Sequence, residues 1–180
     1  MKGIREMSVG ELAAFVCSHL EGRGIPVVLS GGGCVSIYAS DRYVSMDLDF
    51  IERLHATRRQ LKQALAEIGF AEENRYFRHP ETEFFLEFPA GPLSVGSEPV
   101  KAIEEIHLDT GILKLLSPTD CVKDRLAAFY HWNDRQCLLQ AVWVARARKI
   151  DWDEIERWSR KEGEEDKFKV FRKSFEDEGN

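Results

Sequence analysis

The chain has 180 residues, 43% of them hydrophobic and 31% charged, with a formal net charge of −6; this is the balance of an ordinary soluble globular protein. No apolar run approaches the roughly 20 residues of a membrane-crossing helix, and Met1-Lys2-Gly3-Ile4-Arg5-Glu6 lacks the apolar core of a signal peptide, so no membrane association is expected. An acidic chain does not coat nucleic acid broadly, but it suits a protein that collects divalent cations.

Cys17, Cys34, Cys121 and Cys137 are scattered without CxxC spacing and read as reduced thiols of a cytoplasmic protein. The five histidines show no ligand spacing either.

In chain order, Ser8-Val9-Gly10-Glu11 is a capping box that opens a helix over 9–21, with Leu12, Phe15, Val16 and Leu20 on one stripe. Gly22, Gly24 and Pro26 end it and introduce a short buried strand, Val27-Val28-Leu29. That strand stops at Ser30-Gly31-Gly32-Gly33, where missing side chains allow a sharp turn and close approach to a ligand. A short helix over 34–39 is expected next, then the alternating strand Met46-Asp47-Leu48-Asp49-Phe50-Ile51. A second amphipathic helix spans 56–68, with Leu61, Leu65 and Ile68 inward and Arg58, Arg59 and Lys62 solvated. Strands follow over 75–78 and 83–88, and 102–108 with 112–116 reads as a hairpin around Asp109-Thr110-Gly111. After Ser117-Pro118-Thr119-Asp120 everything reads as helix. One helix runs to Trp132, a second is capped by Asn133, a third by Asp151, and the charged tail after Gly163 docks or frays. Phe129, Tyr130, Trp132, Trp143, Trp152 and Trp158 read as helix-packing core.

Alternation sets Met46, Leu48 and Phe50 on one face of their strand and Ser45, Asp47 and Asp49 on the other. Two carboxylates so placed lie about 7 Å apart at the backbone, near enough to share a cation. Glu87 adds weight, because an ionised carboxylate inside Phe84-Phe85-Leu86-Glu87-Phe88 is costly without a partner. Beside the aspartate strand it completes a three-carboxylate cluster for Mg²⁺ or Mn²⁺, hard cations that take oxygen ligands. The plainer alternatives are an ion pair with Arg42 or Arg78, or an exposed edge strand. The glycine turn is neither a Walker loop nor a dinucleotide fingerprint, but backbone N–H groups at a helix start cradle phosphates.

An apolar strand, Gly31-Gly32, the acid-apolar-acid strand Asp47-Leu48-Asp49 and a later acid, Glu87, together resemble the nucleotidyltransferase superfamily, with its polymerase-β-like fold. The fuller string, with Arg42, Ser45 and Asp47-Leu48-Asp49-Phe50, is similar to minimal prokaryotic members such as the AbiEii-type toxins.

The resemblance implies an α+β fold: a nucleotidyltransferase-like mixed sheet flanked by helices over 1–116, with a C-terminal helical region over 117–180 packed on it. It implies a two-metal transfer of a nucleotidyl group from an NTP to a hydroxyl of RNA or tRNA, a protein or a small molecule. Asp47, Asp49 and Glu87 would be the catalytic and metal-binding acids. Ser30, Gly31, Gly32, Arg42 and Ser45 would bind the nucleotide, with Lys123 or Arg125 neutralising charge and Asp134 orienting that cation. The alternative is a catalytically silent nucleotidyltransferase-like binding protein, such as half of a toxin–antitoxin pair with a cognate antitoxin as partner.

Overall fold

The computed structural model describes residues 2–179. Helix α1 (Val9–Gly22) opens through its capping box, in which the Glu11 N–H donates to Ser8 Oγ at 3.3 Å and the Ser8 N–H donates to the Glu11 carboxylate at 2.8 Å. Strand β1 (Val27–Ser30) passes directly into α2 (Gly31–Tyr38). This helix begins three residues before the expected Cys34. Gly31 adopts φ +60°, a left-handed conformation that turns the chain at no steric cost to glycine, so the three glycines themselves build the first turn.

Strand β2 (Asp47–Glu52) and helix α3 (Arg58–Ala66) follow, the helix capped reciprocally by Thr57 and Gln60. Next come β3 (Ala71–Glu73), β4 (Tyr76–Arg78), β5 (Phe85–Glu87), β6 (Ser94–Val95), β7 (Glu98–Pro99), β8 (Ile103–Leu108) and β9 (Gly111–Leu116). The chain closes with α4 (Pro118–Trp132), α5 (Arg135–Ala147), α6 (Trp152–Lys161) and α7 (Glu165–Asp177).

Seven strands form one mixed sheet in the order β3-β4-β5-β2-β1-β9-β8, while β6 and β7 make a separate ribbon. β1 runs antiparallel to β2 and parallel to β9, and β2 runs parallel to β5. The acidic strand is therefore interior, and β5 is flanked on both sides rather than lying at an edge. Along β2, Leu48 and Phe50 are fully buried together with Leu29, Phe77 and Leu86, while Asp47 and Asp49 are half-buried. Met46 departs from the expected pattern. Its carbonyl accepts the Phe85 N–H at 2.9 Å, but it precedes the strand and its side chain is exposed. The strand expected over 83–88 is confined to β5, because the Phe84 N–H turns onto Thr82 Oγ1 at 3.3 Å instead of joining the ladder.

The helical region corrects one cap. Asn133 takes the left-handed conformation, φ +53°, and ends α4, so Asp134 rather than Asn133 caps α5, accepting the Cys137 N–H at 3.0 Å. Asparagine is one of the few residues that visits this region readily. The charged tail forms α7 and docks through buried Phe168 and Phe171, with Trp152 stacked on Phe171 at 5.3 Å. Phe129, Tyr130 and Trp158 are core as expected and Trp143 and Trp152 are half-buried, but Trp132 is exposed at the end of α4.

Lys123 is buried between α4 and α6. Its Nζ lies 3.1 Å from both Asp120 Oδ1 and Glu154 Oε1, and 5.8 Å from the centre of the Trp158 ring. Glu154 also pairs with Arg157, which grips Glu98 of β7 at 2.7 Å, so the network ties the ribbon to the helices. Removing Lys123 leaves two carboxylates facing each other. Lys123→Ala is expected to lower unfolding stability in urea by about 2–3 kcal/mol, below the range for a deeply buried pair because Glu154 is partly exposed.

Candidate active site

Three adjacent strands bring the acids together. The ladder sets Ser30 opposite Asp49 and Asp49 opposite Glu87, so Ser30, Asp49 and Glu87 line up across β1, β2 and β5. Asp47 lies two residues earlier on β2 and shares the Asp49 face. One carboxylate oxygen from each of Asp47, Asp49 and Glu87 falls within 4.8 Å of the other two.

Each acid has its own support. Ser45 Oγ donates to Asp47 Oδ1 at 2.6 Å, the Ser45 N–H donates to Ser36 Oγ at 2.6 Å, and Ser36 Oγ donates to the Gly32 carbonyl at 3.1 Å. That relay fastens Asp47 to the glycine turn. Ser36 was not singled out in the sequence, since a serine inside a short helix carries no signal of its own. Glu87 is paired with Arg75, Nε to Oε1 at 3.1 Å, rather than with Arg42 or Arg78, and Arg75 Nη2 donates to Tyr76 Oη at 2.5 Å.

Among the described residues the Asp49 carboxylate has no such partner. Burial first, then the Asp47 and Glu87 carboxylates and that of Asp124, push its pKa up to about 7, against an opposing pull from Arg125.

The glycine turn closes on this cluster. A Cβ at Gly31 would lie 2.6 Å from Asp49 Oδ2, and one at Gly32 would meet Ser45 Oγ at 3.1 Å and the Tyr43 hydroxyl at 3.2 Å. Ser30 is the N-cap residue of α2, but its Oγ donates to the Asp49 carbonyl at 3.2 Å and no side chain caps the helix. The start of α2 thus lies against the carboxylates without a cap from Ser30, and a helix start of this kind is where anions are commonly bound.

Of the two basic residues that α4 offers, Arg125 is the one whose charge reaches Asp49. Its Nη2 donates to Asp124 Oδ2 at 2.6 Å, and its Nη1 reaches Gln140 Oε1 at 3.5 Å. Its carboxylate partner is therefore Asp124, which sequence reasoning passed over, while the Asp134 side chain is spent on the α5 cap. Lys123 belongs to the α4–α6 network. Arg42 is exposed in the turn after α2, 3.8 Å from Asp41, and lines a small cavity with Trp143 and Arg146.

Three carboxylates with a common point between them fit a hard divalent cation such as Mg²⁺ or Mn²⁺. Asp47, Asp49 and Glu87 would hold it.

No protein-family model matches the chain, and no curated protein matches it by sequence. Solved structures do. An antigenic nucleotidyltransferase-like protein from Paracoccidioides brasiliensis is similar over 73% of this chain and 74% of its own, with TM-score 0.53 at 14% identity. The fold is nucleotidyltransferase-like. The antibiotic-resistance factor ANT(2'')-Ia in solution matches over 95% of this chain and 96% of its own, with TM-score 0.51 and 11% identity. Its crystal structure in complex with adenylyl-2''-tobramycin matches over 96% and 98%, with TM-score 0.50 and 12% identity. The expected mixed sheet flanked by helices, with the helical region after it, is thus the observed architecture. No helix among the described residues is long and apolar enough to cross a membrane.

The raised Asp49 pKa has a thermodynamic consequence. The native state holds a proton that the unfolded chain releases near its ordinary value of 3.8, so metal-free stability falls as pH rises from about 4 to about 7 and is level above that. Asp49→Asn removes the penalty. Denaturation in EDTA is expected to find the variant more stable than the parent at pH 8, by on the order of 2–4 kcal/mol, with the difference vanishing near pH 4.

Proposed function

We propose that this protein transfers a nucleotidyl group from an NTP to a hydroxyl acceptor. The observation that carries the reading is the convergence of Asp47, Asp49 and Glu87 oxygens within 4.8 Å, beside a glycine turn whose amides no side chain caps. The ANT(2'')-Ia structure with adenylyl-2''-tobramycin supports it, because a protein of the same fold there holds an adenylyl group joined to an acceptor.

In this reading the acceptor oxygen attacks the α-phosphorus, the bond from that phosphorus to its bridging oxygen breaks, and pyrophosphate leaves. Amides of Gly31 and Gly32 and the Ser30 hydroxyl hold the phosphate chain. Arg125, held by Asp124, offsets its charge. Ser45 keeps Asp47 facing Asp49. Glu87, oriented by Arg75, accepts the acceptor's proton at a carboxylate oxygen. A divalent ion, which Asp47, Asp49 and Glu87 would hold, would supply charge neutralisation and make the acceptor hydroxyl more acidic.

The narrower affinity, to the AbiEii-type branch, rests on Arg42, Ser45 and the Asp47-Leu48-Asp49-Phe50 string. It would make tRNA an acceptor and an antitoxin a partner.

The decisive experiment incubates the protein with each labelled NTP, Mg²⁺ and separate pools of tRNA, protein and small hydroxylated acceptors including tobramycin. Label is expected on one pool, and none in EDTA. Glu87→Gln should slow transfer by about 10²–10⁴-fold, the range for a lost general base. Asp49→Asn should lose both transfer and Mg²⁺-dependent NTP binding. Tight Mg²⁺–NTP binding with no label on any pool would identify the silent binding protein instead.

A further inference from the structure

Trp132 stands apart from the other aromatic residues of the helical region. Its side chain is 83% exposed, although it ends a helix whose Phe129 and Tyr130 are buried. Helical geometry shows what it overlooks. Seven residues make close to two turns, so positions 121, 125, 128 and 132 share one stripe of α4.

At the start of that stripe Cys121 is buried, and just before it the Leu116 carbonyl accepts the Tyr38 hydroxyl from the far end of α2 at 2.7 Å. One turn later Asp124 and Arg125 act on Asp49, beside the start of α2. Helix α4 therefore runs back along α2 toward its N-terminus, and the same stripe continues past the carboxylates to Ala128 and Trp132. At 1.5 Å per residue Trp132 lies about 10 Å beyond Arg125, a distance comparable to the reach of a nucleoside past its phosphates.

The turn that carries Trp132 is fixed on both sides. Asn133 ends α4 at φ +53°, Asp134 caps α5, and the Arg135 guanidinium lies 5.5 Å from the centre of the Phe129 ring. The indole is thus presented from a turn whose backbone is held on both sides.

We propose that Trp132 is the platform on which the nucleobase of the NTP stacks. The proposal rests on the nucleotidyl-transfer reading and adds to it the place of the base. Stacking on an indole accepts any base, because every base has a π-face.

The test compares parent, Trp132→Ala and Trp132→Phe by equilibrium binding of Mg²⁺–ATP, –GTP, –CTP and –UTP, with Mg²⁺–tripolyphosphate as the probe that lacks a base. Trp132→Ala should weaken each NTP about ten- to a hundredfold and leave tripolyphosphate unchanged, with melting temperature unmoved because the ring is exposed. Trp132→Phe should retain most of the affinity, and nucleotide quenching of tryptophan fluorescence should be strong in the parent and largely lost in Trp132→Phe. NTP binding by the alanine variant as tight as the parent's, or an equal loss for tripolyphosphate, overturns the platform while leaving the nucleotidyl-transfer reading intact. A parent that binds neither NTP nor tripolyphosphate overturns both.

Discussion

Mutual repulsion among three carboxylates is the constraint to which the rest of this structure answers. Two ionised groups about 5 Å apart repel by about 3 kcal/mol at an effective dielectric of 20, and here Asp47, Asp49 and Glu87 share one 4.8 Å neighbourhood. Each is relieved differently. Asp47 accepts the Ser45 hydroxyl, Glu87 takes the Arg75 guanidinium, and Asp49, with neither, keeps a proton up to about pH 7. These are three separate stand-ins for positive charge, and one divalent ion could replace them all.

The acids cannot relax apart because the sheet holds them. Asp49 and Glu87 are register partners on parallel strands, and Ser30 is the partner of Asp49 on the other side. The parallel pairing requires a long excursion between β2 and β5, which α3 and the β3–β4 hairpin supply. Behind the acids Leu48, Phe50 and Leu86 are fully buried, so a one-residue slip would drive carboxylates into the core. Hydrophobic burial on one face thus fixes electrostatic strain on the other. The glycine turn adds a second lock: Gly31 must lack a side chain because Asp49 occupies that space.

The alternation of Asp47-Leu48-Asp49-Phe50, the glycine turn, the capping box at Ser8 and the Ser117-Pro118 helix start were legible from sequence because each is a local signal with one physical cause. So was the third acid, since a glutamate inside an aromatic run demands a partner. The short strands β3, β6 and β7 were not legible: two or three residues carry no period, and tertiary pairing alone makes them strands. Arg75 and Asp124 escaped notice because the identity of a charged partner depends on which strands and helices end up side by side. Trp132 was misread for the opposite reason. Its apolar surface argued for core, yet a helix end projects past the layer it packs on.

Identities of 11–14% with proteins of the same fold carry no argument about chemistry by themselves, since a sheet with buried Leu, Phe and Val can be rebuilt from many sequences. The energetics of the site make the sharper case. A protein that needed only this fold would gain stability from an amide or an apolar group in place of Asp49, would not need Gly31 to be bare, and would not need a serine relay to aim Asp47. The chain instead keeps an acid whose ionisation is opposed by burial and by two neighbouring carboxylates, beside a helix start that the Ser30 side chain does not cap. Perturbed carboxylates of this kind cluster at functional sites, and that is what supports proposing a cation here. The strand register that brings the three carboxylates together is also what would give such a cation a defined place.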